Sequence, residues 1–247
     1  MPKSTVQKSY FLYQKQPVLV KMYLEQRKNT RFSIGKNAVI IRMPFHTSKA
    51  HRQQFVQQLE TWTIKQFDER AKLRANFFGK IYKNGDTIKI MGKEYPIHIQ
   101  LADRKTHFAR IKNNEIYITL SQHDQSPFQQ KAIKTLLSRT IAGDCLPNIE
   151  RLVDQWNDQY FQEDIQAIRL KQNQSNWGSC SSNRNLNFST RLLFAPSDVI
   201  DYVIVHELAH LKELNHSAKF WKIVADVMPD YKEKEEWLKE NGHLCSF

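Results

Sequence analysis

The chain has 247 residues, of which 40% are hydrophobic and 11% aromatic, so it can bury a sizeable core and is not intrinsically disordered. Its 7 glycines and 8 prolines exclude a collagen-like chain, and no GxGxxG or Walker-type glycine-rich phosphate loop occurs. The net charge is +12, with +15 in residues 1–150 and −3 in residues 151–247. Such a basic half attracts nucleotides or nucleic acid, although a solvated surface explains it as well.

The first 124 residues show strand-like alternation around one helical segment. A long helix is predicted from its N-cap Ser48 to about residue 73, where apolar residues recur at helical spacing. Turns are expected at residues 35–37 and 113–114. The polar run before Pro127 is taken as a boundary, which gives domains at 1–124 and 125–247. The predicted strands are residues 18–24, 30–34, 39–43, 87–91, 95–101, 107–112 and 115–120.

The second part of the chain is mainly helical in pattern. A helix over residues 128 to about 160 is expected to break near Gly143 to Pro147. Gly242 ends the last predicted helix, and no internal repeat is evident. The remaining predicted elements are strands near residues 165–170 and 186–188 and helices at 197–214, 217–228 and 231–241.

The cysteine content indicates a reducing compartment, because three cysteines (Cys145, Cys180 and Cys245) are too few for a disulfide framework. The N-terminal residues lead into no apolar run typical of a signal peptide. No stretch approaches the roughly 18–20 apolar residues that span a bilayer. We therefore expect a soluble cytoplasmic protein without a membrane partner. Nothing in the sequence fixes its oligomeric state.

The run His206-Glu207-Leu208-Ala209-His210 is the strongest chemical signal. Positions i and i+4 of a helix share one face, so His206 and His210 can reach one metal ion while Glu207 contacts a metal-bound water. The surrounding residues 199–211 are apolar nearly all round, which predicts a buried helix with Ser197 as its N-cap. Buried histidines and a buried glutamate need partners, and a divalent cation satisfies all three.

A catalytic zinc site needs a third protein ligand and an open position. His216 lies six residues after His210, the spacing of the metzincin motif HExxHxxGxxH, but Glu213 stands in place of the glycine. We predict His216 as the third ligand and place the turn later, at Asn215, which tolerates a left-handed conformation. Two alternatives stay open: histidines paired within the core, and a structural zinc site, which usually has four ligands, often cysteines.

The runs that flank the motif are Asn-Trp-Gly-Ser-Cys-Ser-Ser at 176–182, Leu-Asn-Phe at 186–188, the apolar helix at 199–211, Asn-His-Ser at 215–217 and Phe-Trp at 220–221. With the HExxH motif they resemble the YgjP-like metallopeptidase-domain family and, more distantly, SprT-like zinc proteases. The resemblance is close over about residues 165–240 and looser in the basic N-terminal part. One departure is Asn176, where the family commonly has a basic residue.

The resemblance implies a zincin-like, helical metal-binding domain with a small sheet, so the expected fold class is α+β, with a basic β-rich part and one long helix before that domain. It implies one Zn²⁺ per chain on His206, His210 and His216, with Glu207 as the general base and residues 177–180 near the cleft.

Candidate substrate residues are Trp177, Ser179 and Asn187. Ser179, Asn187 and Tyr231 are also candidates for stabilising the charge that develops on the attacked group. Two structural roles stay open: Trp177 as a core tryptophan, and Cys180 as a small buried residue rather than a redox-responsive or metal-responsive thiol.

Three functions fit these features. The first is a zinc metallopeptidase, in which zinc acidifies its bound water and Glu207 accepts the proton. The second is a nucleoside-triphosphate (UTP) pyrophosphatase, a label that members of the family carry, with phosphates held by basic residues and helix N-termini. The third is a nucleic-acid-binding module with a non-catalytic zinc site, against which Glu207 and the missing RRM, KH and zinc-finger signatures argue. The expected partners are a peptide or nucleotide substrate, with nucleic acid as a further partner of the basic half.

Overall fold

The computed structural model describes residues 5–35, 37–124, 128–173 and 175–247. Within these residues the chain forms six α-helices and three mixed sheets, so the predicted α+β class is confirmed. The middle of the turn expected at 35–37 and the stretch 125–127 at the expected boundary lie outside the described residues. Two units divide the chain, residues 1–81 with 125–130 and residues 82–124 with 131–247.

The first unit is a four-stranded sheet packed on a long helix. The sheet has the order β1-β2-β4-β3, with β2 and β4 parallel and the other two pairs antiparallel. Period-two alternation turns most apolar side chains of the four strands to one face, where they pack with Leu59 and Phe67 of α1. The elements are β1 (Thr5–Tyr13), β2 (Gln16–Glu25), β3 (Arg31–Ile34), β4 (Val39–Pro44), α1 (Lys49–Glu69) and α2 (Ala71–Phe78).

The second unit contains another four-stranded sheet, a three-stranded sheet and the remaining helices. The larger sheet has the order β5-β6-β8-β7, and the smaller has the order β10-β11-β9. The elements are β5 (Thr87–Ile90), β6 (Lys93–Ala102), β7 (Phe108–Lys112), β8 (Glu115–Ser121), α3 (Gln129–Trp156), β9 (Ala167–Lys171), β10 (Gly178–Cys180), β11 (Asn185–Ser189), α4 (Ser197–Ala209), α5 (Ala218–Val227) and α6 (Tyr231–Asn241).

The two four-stranded sheets are copies of one motif. In both, a hairpin is followed by a parallel pair and an antiparallel edge strand, and Val20 pairs with Val39 as Ile97 pairs with Ile116, 77 positions later. Even the hairpin turns agree, since both residues of each, 14–15 and 91–92, have positive φ. The expectation that the chain has no internal repeat is therefore wrong. Residues 13–44 and 90–121 are identical at only 6 of 32 positions, so the repeat lies in the pattern of buried side chains.

The second sheet shares its core with the C-terminal helices. Ile97, Ile116 and Ile118 belong to the same buried cluster as Leu137 of α3 and Leu208 of α4. The structural units therefore separate after Ile81, whereas the sequence placed a domain boundary after residue 124, which stays a prediction. Alternation reveals that a segment is a strand with one buried face, but it does not reveal which core that face enters.

Several expected boundaries are corrected by the structure. Helix α3 runs without a break through Pro147, because Ile141, Cys145 and Ile149 are buried at helical spacing and their packing outweighs the roughly 3 kcal/mol cost of an internal proline. Strands β1 and β10 were not predicted.

None of the helices in the described part of the chain is both long and apolar enough to cross a membrane.

Candidate metal centre

Helix α4 carries the HExxH motif through the core of the second unit. Nine of its 13 residues are buried, as expected for a helix that is apolar nearly all round. Ser197 is the first helical residue rather than the N-cap, since the carbonyl of Pro196 accepts the amides of Val199 and Ile200. The helix ends at Ala209, and no residue from 210 to 216 has positive φ. The turn therefore falls earlier than expected and needs no left-handed Asn215.

The three predicted histidines come together at the end of this helix. One ligand atom of each of His206, His210 and His216 lies within 4.8 Å of the others, and the Nε2 atoms of His206 and His216 are 3.0 Å apart. Two nitrogen ligands of a tetrahedral zinc ion are separated by about 3.3 Å. The cluster thus has nearly the spacing that one metal ion requires.

The hydrogen bond of His210 orients its ring for metal binding. Its Nδ1 lies 3.1 Å from the carbonyl oxygen of Glu213, which can only accept, so Nδ1 carries the proton and Nε2 keeps its lone pair. Metal-binding histidines usually donate their second nitrogen in this way. Within the described residues, buried Glu207 Oε2 has no hydrogen-bond partner. The free lone pair of His210 Nε2 and this carboxyl oxygen fit a divalent cation with a bound water.

Helix α5 closes the back of the histidine cluster. Ser217 caps it by accepting the amide of Phe220 through Oγ at 3.3 Å, so the helix starts directly after His216. The Phe220 ring is fully buried, stacks on His210 with centroids 4.4 Å apart, and contacts His206 and His216 edge-on. An apolar wall on this side excludes water and keeps the imidazoles in place.

The burial of the site favours neutral imidazoles. Burial, with smaller contributions from His210 and His216, lowers the pKa of His206 to about 3. The pKa of His210 is lowered as well, mainly by burial. Neutral histidine is the form that binds metal ions. At neutral pH the cluster therefore offers lone pairs to a cation without first releasing protons from these two rings.

Glu207 faces β10 from the last turn of α4. A Cβ on Gly178 would lie 2.6 Å from Glu207 Cγ and 2.8 Å from Cδ, so only glycine leaves room for this carboxyl. The amide of Cys180 donates a hydrogen bond to it and lowers its pKa, but burial dominates and raises the pKa of Glu207 to about 8. A bound cation would favour the carboxylate again. Glu207 is thus held between a glycine and a backbone donor.

The other predicted residues lie around this strand. Ser179 follows Gly178, so its side chain points to the face of β10 away from Glu207, and Asn187 lies opposite it with Nδ2 3.5 Å from Ser179 Oγ. Asn187 Oδ1 is buried without a partner among the described residues. The Trp177 ring lies under the Arg191 guanidinium at 4.4 Å. As substrate residues these three stay predictions.

Tyr231 and Cys180, which the sequence also singled out, have structural surroundings of their own. Tyr231 stacks on Trp221 at 5.3 Å, which engages its ring in packing beside the cluster. Burial and the charge of Glu207 raise the pKa of Cys180 to about 11, which makes an unreactive thiol. The roles of Gly178 and of the Cys180 amide were missed, and their one signal was a glycine within the Trp-Gly-Ser-Cys run.

An HExxH helix followed by a third histidine and lined by an apolar wall is typical of metallopeptidase domains, and the second unit has this class of site. The chain belongs to the YgjP-like family, whose metallopeptidase-domain model matches residues 28–241.

Two solved structures are similar to part of the chain. One is the metallopeptidase zymogen abylysin of Pyrococcus abyssi, with 26% identity, a TM-score of 0.33, and coverage of 36% of this chain and 89% of that one. The other is the metallopeptidase zymogen jannalysin of Methanocaldococcus jannaschii, with 22% identity, a TM-score of 0.34, and coverage of 37% and 94%. No curated protein sequence matches the chain significantly.

Proposed function

We propose that this chain is a zinc-dependent peptidase in which His206, His210 and His216 hold one zinc ion and Glu207 is the general base. The observation that carries the proposal is the convergence of the three imidazoles within 4.8 Å, one residue from a buried glutamate. A purely structural metal site has no use for that glutamate, and such sites usually have four ligands.

The donor set favours zinc over other common ions. Three neutral imidazoles suit zinc, copper or nickel better than calcium or magnesium, which prefer oxygen ligands. A three-histidine set leaves a coordination position free, as catalytic zinc sites do. When bound, zinc would supply a Lewis acid that acidifies water and polarises the attacked carbonyl.

The chain's own residues prepare the proton transfer. Glu207 accepts a proton from the attacking water and returns it to the leaving amine. The Cys180 amide holds the carboxyl, and Gly178 lets it approach β10. Phe220 keeps bulk water from the back of the imidazoles. Each of these contacts orients a reacting group before substrate arrives, which lowers the barrier through preorganisation.

The peptide substrate is supported by the metallopeptidase domain of the family. A cytoplasmic location is part of the same proposal, and it is supported by the three cysteines, each of which is free in the structure.

A direct test compares zinc-loaded parent with Glu207→Gln on a mixed peptide library and on UTP. We expect the parent to cleave peptides and the variant to retain zinc but lose at least about 100-fold in rate. Glu233→Gln, an exposed carboxylate on α6, is the matched control and should behave as the parent. Pyrophosphate release from UTP without peptide cleavage would replace the peptidase by the nucleotide hydrolase. Full activity of Glu207→Gln would refute the general-base role.

A further inference from the structure

The first unit has one face of its sheet uncovered by α1. Because most apolar side chains of β1–β4 turn toward that helix, the alternate positions form the opposite face. Its exposed members include Lys8, Tyr10 and Arg31 beside the apolar Val6 and Leu12. Lys21, Tyr23 and Arg42 on the same face are half-buried between neighbours. The four cations and two tyrosines of this face are here called the basic sheet face.

The strand register places like charges against each other on this face. Lys8 lies directly opposite Lys21, and Arg31 lies directly opposite Arg42. Directly opposed like charges destabilise a sheet. Glu25, the only acidic residue among the first 59, pairs with Arg42, and among the described residues no carboxylate forms an ion pair with Lys8 or Lys21. A polyanion laid across the strands would relieve this repulsion.

Aromatic rings are interleaved with the cations. Tyr10 is 52% exposed and contacts Phe128 edge-on at 5.4 Å. The guanidinium of Arg42 lies 4.7 Å over the ring of Tyr23. Exposed rings on a basic sheet are the features that bind unpaired bases, because every base has a face that can stack. Free phosphate or an acidic peptide would use the charges but not the rings.

The second copy of the motif provides an internal comparison. The positions 77 residues after Lys21, Arg31 and Arg42 are His98, Phe108 and Thr119, although the buried residues of the two sheets correspond. The fold of the motif thus does not need these cations.

The first unit is also the more positively charged of the two. The first unit has 16 Lys+Arg and 4 Asp+Glu, whereas the second has 21 of each. All of the net charge of +12 therefore lies on the unit that carries the basic sheet face.

We propose that the basic sheet face binds single-stranded nucleic acid, with phosphates on the lysines and arginines and a base stacked on Tyr10. The proposal is independent of the hydrolase site. Lys8, Tyr10, Lys21 and Tyr23 also precede residue 28, where the family match begins. A flat sheet with a solvent-exposed ring suits unpaired bases better than a duplex, whose bases are already stacked.

The test is fluorescence anisotropy of the full chain with labelled DNA and RNA oligonucleotides of about 15 nucleotides, across a salt series. We expect the logarithm of the binding constant to fall linearly with the logarithm of the salt concentration. Lys8→Gln/Lys21→Gln should reduce that slope by about 1.4, because two phosphate contacts are lost. Tyr10→Leu should weaken binding about fivefold or more and leave the slope unchanged. Comparing the two oligonucleotides shows whether DNA or RNA is preferred.

The matched control is Lys65→Gln/Lys72→Gln, which removes the same charge from exposed positions on α1 and α2. It should bind as the parent does, and urea unfolding should show that all variants remain folded. Equal losses in both lysine pairs would overturn the proposal in favour of diffuse attraction. Equal affinity for duplex DNA or poly-glutamate, or no effect of Tyr10→Leu, would overturn the single-strand assignment, and absence of binding at low salt would overturn it entirely.

Discussion

Gly178 and Glu207 are packed so closely that position 178 has no room for a side chain, because a Cβ there would lie 2.6 Å from Glu207 Cγ. The two residues are 29 positions apart in sequence, and their contact brings the short strand β10 against α4. The contact gives Glu207, the proposed general base, a fixed backbone support on the side that also supplies the Cys180 amide.

Gly178→Ala tests this contact. The added methyl should displace Glu207 and lower the hydrolytic rate by about 100-fold, since small misplacements of reacting groups have effects of this size. It should also lower the free energy of unfolding by about 1–3 kcal/mol through overpacking. Zinc content should stay unchanged. Gly143→Ala is the control, because nothing lies within 4 Å of a Cβ there. Parental rate and stability for Gly178→Ala would show that the site accommodates a Cβ.

His216→Ala should remove the third metal ligand. Because even the loss of an outer hydrogen-bond partner costs 10–100-fold in metal affinity, we expect zinc affinity to fall by more than about 100-fold. Competition with a chelator indicator, together with zinc stoichiometry, measures it without any activity assay. His243→Ala is the control, because the ring of this exposed histidine lies against the Glu240 carbonyl and outside the histidine cluster; it should retain parental affinity. One tightly bound zinc in His216→Ala would mean that another residue completes the site.

Asp198→Asn tests the ion pair that joins the start of α4 to α6. Lys234 Nζ lies 2.9 Å from Asp198 Oδ2, and this bond holds the pKa of Asp198 below its usual 3.8. A lowered carboxyl pKa stabilises the fold above the unfolded pKa, and the effect is lost as pH falls below 3.8.

Urea unfolding of Asp198→Asn at neutral pH should therefore show a loss of up to about 1 kcal/mol, because the carboxylate is more than half exposed. The difference from the parent should shrink as pH falls below 3.8 and through the lowered pKa of folded Asp198, because the protonated acid and the amide are both uncharged. Asp226→Asn, which removes an exposed ion pair within α5, is the control and should change stability less. If Asp198→Asn stayed less stable than the parent in acid, the ion pair would not be the source of the difference.

Arg191 links the C-terminal residues to Trp177 through hydrogen bonds and a cation–π contact. Its Nε donates to the Cys245 carbonyl at 2.8 Å and its Nη2 to the Gly242 carbonyl at 2.6 Å, while its guanidinium covers the indole ring. Arg191→Met should lower the free energy of unfolding by about 2–3 kcal/mol, since hydrogen bonds from a charged donor are lost. Arg169→Met, on an exposed surface, should change it by less than about 0.5 kcal/mol. Equal effects of the two would argue against this anchoring role.

Local periodicity predicted much of the fold. Most strands and all of the C-terminal helices were predicted near their observed positions, because alternation and helical spacing act between close neighbours in the chain. Local rules fail at Pro147. A proline inside a helix is destabilising and predicts a break, but the helix continues because Ile141 and Ile149 on either side are buried in the core.

The sequence by itself determined the grouping of His206 with His210 beside Glu207, since helix geometry fixes which residues share a face. Only the tertiary structure decided that Gly178 supports Glu207, that Phe220 walls the histidines, and that one sheet motif occurs twice. These relationships depend on which buried faces meet, and a sequence pattern shows that a face is apolar without naming the face that will cover it.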